Sequence, residues 1–158
     1  MHDERRRRAP HDTPPLVEPK PVPADELRMS VPGCPAVAGL VRDRVGRALR
    51  RWGLGHLVDD LALCSTELVT NAVKAAPGRE VTVRLVREAA GVLLTVRDLS
   101  NAPPVQRPVV EPSLAALDLG GPEDDGGRGL LIVSTLAQRC GYEPHSPRGK
   151  TVWARFAR

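Results

Sequence analysis

Glu67-Leu68-Val69-Thr70-Asn71-Ala72-Val73-Lys74-Ala75-Ala76 is the stretch on which the reading of this chain turns. It ends a longer run, His56 to Ala76, that lacks proline and reads as one helix. Leu57, Leu61, Cys64, Leu68 and Ala72 follow helical spacing there. Glu67, Asn71 and Lys74 fall at i, i+4 and i+7, so they share one face. The flanking turns are mostly apolar, and a carboxylate and an amide set among them need partners. Two readings fit. In one, the pair belongs to a structural network in which Glu67 caps a turn or pairs with an arginine. In the other, the amide oxygen holds Mg2+ and the carboxylate beside it takes a proton.

Working back toward the N-terminus, Pro35 opens a helix that runs to about Trp52. Its buried stripe is Val37, Val41, Val45, Ala48, Leu49 and Trp52. Arginines fill much of the remaining surface and read as a solvated face. Gly53 ends this helix. Before it, Leu27 to Val31 alternates apolar and polar residues as a short strand, closed by Pro32-Gly33. Residues 1–25 are rich in Pro, Arg, Asp and Glu, and are expected to be a disordered tail. Residues 26–158 then form a single domain.

Beyond Pro77-Gly78 the pattern changes to period two. Arg79 to Arg87 places Val81, Val83 and Leu85 on one face, and Val92 to Asp98 does the same with Val92, Leu94 and Val96. With the turn at Glu88 to Gly91, these make a hairpin. Asp98 has the parity of the apolar residues, so the strand delivers a carboxylate to the buried side. That is costly unless something donates to it. Residues 99–126 have little periodicity and many prolines and glycines, and are read as a lid. Gly126-Gly127-Arg128-Gly129 then leads into an apolar helix, Leu130 to about Gln138. Glycines at a helix N-terminus let backbone N–H groups approach an anion closely. A second hairpin pairs Tyr142–His145 with Thr151–Phe156 around Ser146 to Gly149.

Composition narrows the class. Of 158 residues, 41% are hydrophobic, yet the aromatics are only Trp52, Tyr142, Trp153 and Phe156, so the core is aliphatic. The formal charge of +4 is mild, and no basic patch interleaves with aromatics, so no direct nucleic-acid partner is expected. No run reaches membrane-spanning length. Cys34, Cys64 and Cys140 are widely spaced and suggest neither a disulfide framework nor a zinc site. A reduced, cytoplasmic setting is expected.

Taken in order, these features resemble the ATP-binding domain of the GHKL superfamily, which includes gyrase-type ATPases and histidine kinases. Glu67 to Ala72 resembles its N box. Asp98-Leu99-Ser100 resembles the first glycine box, and Gly127-Arg128-Gly129-Leu130 the second. Gly149-Lys150-Thr151-Val152-Trp153 resembles the closing strand, and Trp52-Gly53-Leu54 resembles the subgroup of anti-sigma-factor serine/threonine kinases. The resemblance covers about residues 27–157. It implies a two-layer α/β sandwich of the Bergerat type, with a mixed, largely antiparallel sheet and three helices on one face. It implies ATP and Mg2+ as ligands. Asn71 would coordinate the metal. Asp98 would accept from the adenine amino group, with Ser100 close to the base. Gly127, Arg128, Gly129 and Leu130 would cradle phosphates, and Thr151 would add a contact. Glu67 would be the general base toward a serine or threonine of a partner protein.

The implied partners are a sigma factor or an antagonist of an anti-sigma factor, with the chain itself a homodimer. The alternative is a non-catalytic, nucleotide-dependent binding module. Two departures stand out: Ala75 replaces a histidine that many relatives carry, and Ser100 and Ala102 stand where the wider superfamily has glycine. An empty site would leave Asp98 unpaired, so Asp98→Ala is expected to weaken ATP binding far more than folding.

Overall fold

The computed structural model describes residues 24–104 and 128–158. Most of the expected tail, most of the lid and Gly127 lie outside the described residues. Strand β1 spans Glu26–Val31 and helix α1 Val37–Arg51. A 3-10 turn at Gly55–Leu57 leads into helix α2, Val58–Ala75. Strands β2, Val81–Arg87, and β3, Gly91–Asp98, follow. After the gap come helix α3, Arg128–Leu136, and strands β4, Arg139–Pro144, and β5, Lys150–Ala157.

The strands form one five-stranded sheet in the order β1-β2-β3-β5-β4. All four pairings are antiparallel. Register decides what is buried. Val83 stands opposite Val96, Leu85 opposite Leu94, Leu94 opposite Ala154 and Val96 opposite Val152. These side chains share one face and meet Val41, Val45 and Leu49 of α1 and Leu61, Leu68 and Val69 of α2 in a single core. Burying each such side chain contributes roughly 1.5–3 kcal/mol. The other face of the sheet carries Arg84, Arg97 and Arg155, all exposed, with the Arg155 guanidinium 5.9 Å from the Trp153 ring centre.

The N-terminal edge is tied down by Trp52, whose indole Nε1 donates to the Ala24 carbonyl at 3.0 Å. Cys64 is fully buried on α2, as its helical spacing suggests. Burial, reinforced by the carboxylates of Asp60 and Glu67, pushes its thiol up to about 12. It is therefore an inert core residue rather than a nucleophile.

Several boundaries differ from the sequence pattern by a few residues, and two of them bear on the site. The third helix ends at Leu136, two residues before Gln138, because the Gln138 N–H bonds the Arg155 carbonyl at 2.8 Å and has already joined the sheet. Strand β5 begins at Lys150, which stands opposite Asp98. That one-residue extension defines the site.

Candidate functional site

A cavity of about 310 Å3 opens where α2, the end of β3, the start of β5 and the N-terminal turn of α3 converge. Leu68, Asn71 and Ala72 form its α2 wall, one turn apart, as an i, i+3, i+4 stripe must. Lys74 and Ala75 stand at the end of that wall. Leu130 contributes from α3. The segment Ser100 to Pro104 contributes Ser100, Ala102 and two prolines. The lining is mostly apolar, with a few polar groups in fixed positions, which is the usual make-up of a small-molecule site.

The fixed polar groups are Asp98 and Lys150. Both are almost fully buried, at 2% and 4% exposure. Lys150 Nζ donates to Asp98 Oδ1 at 3.0 Å, and the Ser100 backbone N–H donates to the same oxygen at 2.8 Å. Strand parity puts Asp98 on the inner face, as expected. The expectation that an empty site leaves it unpaired is corrected: its cross-strand neighbour supplies an ammonium. A buried carboxylate is tolerable only with such partners.

The turn after β3 is locked to the turn before β5. Gly149 donates its N–H to Asn101 Oδ1 at 2.9 Å. Its φ of +96° lies in the region that favours glycine, and a Cβ there would stand 2.5 Å from the Asp98 carbonyl oxygen. Gly149→Ala is expected to cost about 1–3 kcal/mol. The check is a urea titration, whose midpoint should fall while the slope is unchanged.

Glu67 stands one turn before Asn71 on the same side of α2 but does not line the cavity. Gly129 of α3 lies directly on it. A Cβ on Gly129 would come 2.5 Å from Glu67 Oε2 and 3.3 Å from the Glu67 Cβ. The glycine lets α3 seat its first turn against the carboxylate.

Asn71, Asp98, Ser100 and Leu130 thus share one cavity, with Glu67 and Gly129 packed together beside it. Of Arg128 the backbone alone is described, as the first residue of α3. Thr151 is not brought to the cavity. It alternates with Lys150 and Val152, pairs with Arg97, and its Oγ1 lies 2.7 Å from His145 Nε2 on the other face of the sheet. Lys150 occupies the place expected of Thr151. Counting back from Phe156 by twos, through Ala154 and Val152, would have found it.

As to a metal, an amide oxygen such as that of Asn71 is a hard donor suited to Mg2+, which commonly takes few protein ligands and completes its shell with phosphates and water. Among the described residues no cluster of three or more His, Cys, Asp or Glu offers an all-protein cage. The residues present are compatible with such an ion, with Asn71 as the protein ligand that would hold it.

The family model for the histidine kinase-like ATPase domain matches residues 31–156. The chain belongs to this family. Membership implies ATP binding, and the two-layer fold agrees with it. Comparison with curated proteins gives no match. Among the described residues no helix is long and apolar enough to cross a membrane.

Proposed function

We propose that this chain is an ATP-binding regulator that transfers the γ-phosphoryl group of Mg-ATP to a serine or threonine of a small antagonist protein, as anti-sigma-factor kinases do. The observation that carries the reading is the shared helix face: Asn71 opens onto the cavity that holds Asp98, and Glu67 lies one turn away, beside the first turn of α3. Asn71 would hold the metal and Asp98 would accept from the adenine amino group. Backbone N–H groups at the start of α3, from Arg128 to Leu130, would face the phosphates, where the helix dipole favours negative charge. Bound Mg2+ supplies charge neutralisation on the β- and γ-phosphates.

In the transfer, the partner hydroxyl oxygen forms a bond to the γ-phosphorus. The bond from that phosphorus to the β,γ-bridging oxygen breaks and ADP leaves. The hydroxyl proton passes to the Glu67 carboxylate. The protein's share is positioning and proton acceptance. A homodimer in a reducing cytoplasm, acting on a sigma factor through its antagonist, is the setting this reading proposes.

One observation favours a second reading. Glu67 packs against Gly129 and, although partly exposed, does not line the cavity. A chain that keeps it so in the complex would be a non-catalytic module whose nucleotide state controls a partner.

Both readings require Mg-ATP binding. Nucleotide at 100 times its Kd stabilises by about 2.7 kcal/mol. For a domain of this size that is a rise in Tm of roughly 5–11 °C. A melting curve unmoved by millimolar Mg-ATP removes both.

A further inference from the structure

We propose that Lys150 reads the nucleotide base directly, with its ammonium donating to ring N1 of adenine while Asp98 accepts from the 6-amino group. The proposal rests on the ATP-binding reading above and adds a specificity residue to it.

Three observations converge. Lys150 is 4% exposed, in a chain whose other lysines are Lys20 and Lys74. Lysine is among the residues least often fully buried, so an ammonium kept there has a use for its donors. It lines the same cavity as Asp98 and Asn71. Its register opposite Asp98 fixes the two head groups side by side, with Nζ 3.0 Å from Oδ1.

The donor count completes the argument. An ammonium has three N–H bonds, and Asp98 Oδ1 is the one acceptor Lys150 reaches among the described residues. Oδ1 also takes the Ser100 N–H. No described donor bonds Oδ2. The wall of the cavity therefore offers the remaining N–H donors of Lys150 next to an acceptor, Asp98 Oδ2. The 6-amino group and N1 of adenine present the matching pair, a donor beside an acceptor. Bonds to charged groups of this kind discriminate strongly, since an unmatched partner leaves a buried polar group unpaired.

The test compares ATP with 1-deaza-ATP, in which a C–H replaces N1, both with Mg2+. Wild type should bind ATP roughly 10- to 100-fold more tightly. Lys150→Met should bind the two within about twofold. A second measurement needs no variant at position 150. In 15N-lysine-labelled wild type, the Lys150 Nζ resonance, recognised as the signal whose protons exchange slowly with solvent because the group is buried, should shift with ATP and far less with 1-deaza-ATP. Equal affinities in wild type, discrimination that survives in Lys150→Met, or equal Nζ shifts overturn the inference and leave ATP binding standing. That pattern would make Lys150 only the counter-ion of Asp98. Failure of wild type to bind ATP at all removes the nucleotide reading and the inference with it.

Discussion

Asp98→Ala is expected to destabilise the nucleotide-free protein by about 3–5 kcal/mol, because it strands the Lys150 ammonium in the interior. The loss comes from the partner left behind rather than from the bond itself. Taking two charges out of water cancels most of what their attraction returns, so the pair contributes little net stability while both members are present. A second variant separates the two quantities. Asp98→Leu combined with Lys150→Met removes both charges and keeps apolar volume, and its stability should return close to wild type or exceed it by about 1–4 kcal/mol. Neither variant should bind ATP tightly. Urea unfolding without nucleotide gives the stabilities, and calorimetric titration of the folded double variant gives the binding. If Asp98→Ala unfolds at the wild-type midpoint, the ion pair has no role in the fold. If the double variant still binds ATP as wild type does, neither group belongs to the base site.

Sequence alone points the other way, to an Asp98 without a partner. Period-two alternation carried Asp98 to the inner face correctly, since parity survives without knowledge of partners. It could not say what stands opposite, because register between β3 and β5 depends on a chain reversal some fifty residues later. Lys150 follows a turn-like run, Ser146 to Gly149, so its face can be counted back from Phe156 but its pairing with Asp98 cannot. Resemblance to the closing strand points to Thr151, whereas the parity that carries Asp98 inward places Thr151 on the far face. Helices α1 and α2 were legible because their apolar stripes repeat over four or more turns. Strand β4 is legible in the sequence only from Tyr142. It is a sheet edge whose residues are mostly exposed, so its first half, from Arg139, carries no burial pattern to read. The helix face of Glu67 and Asn71 was visible from spacing alone. The seating of Gly129 upon Glu67 was not, because it is a contact between elements about sixty residues apart in sequence.

The other large effect is expected at Glu67. Glu67→Gln keeps the length and volume of the side chain, so Gly129 can seat against it as before and the fold should be unaltered. Asn71 and the Asp98–Lys150 pair are untouched, so Mg-ATP affinity should match wild type. Only the basic oxygen is lost. General-base catalysis typically contributes 10²–10⁴-fold, and phosphoryl transfer to the antagonist should fall by about that factor. Asn71→Ala should behave oppositely, losing Mg-ATP affinity itself because the amide oxygen would hold the metal. The assay is transfer of radiolabel from γ-labelled ATP to the purified partner, alongside nucleotide affinity for each variant. Equal transfer by wild type and Glu67→Gln would refute the base assignment and leave positioning as the whole of catalysis. No transfer by wild type, with tight ATP-dependent partner binding, would establish the module instead. If wild type transfers and Glu67→Gln does not, the half-buried Glu67 carboxylate is the group that takes the hydroxyl proton.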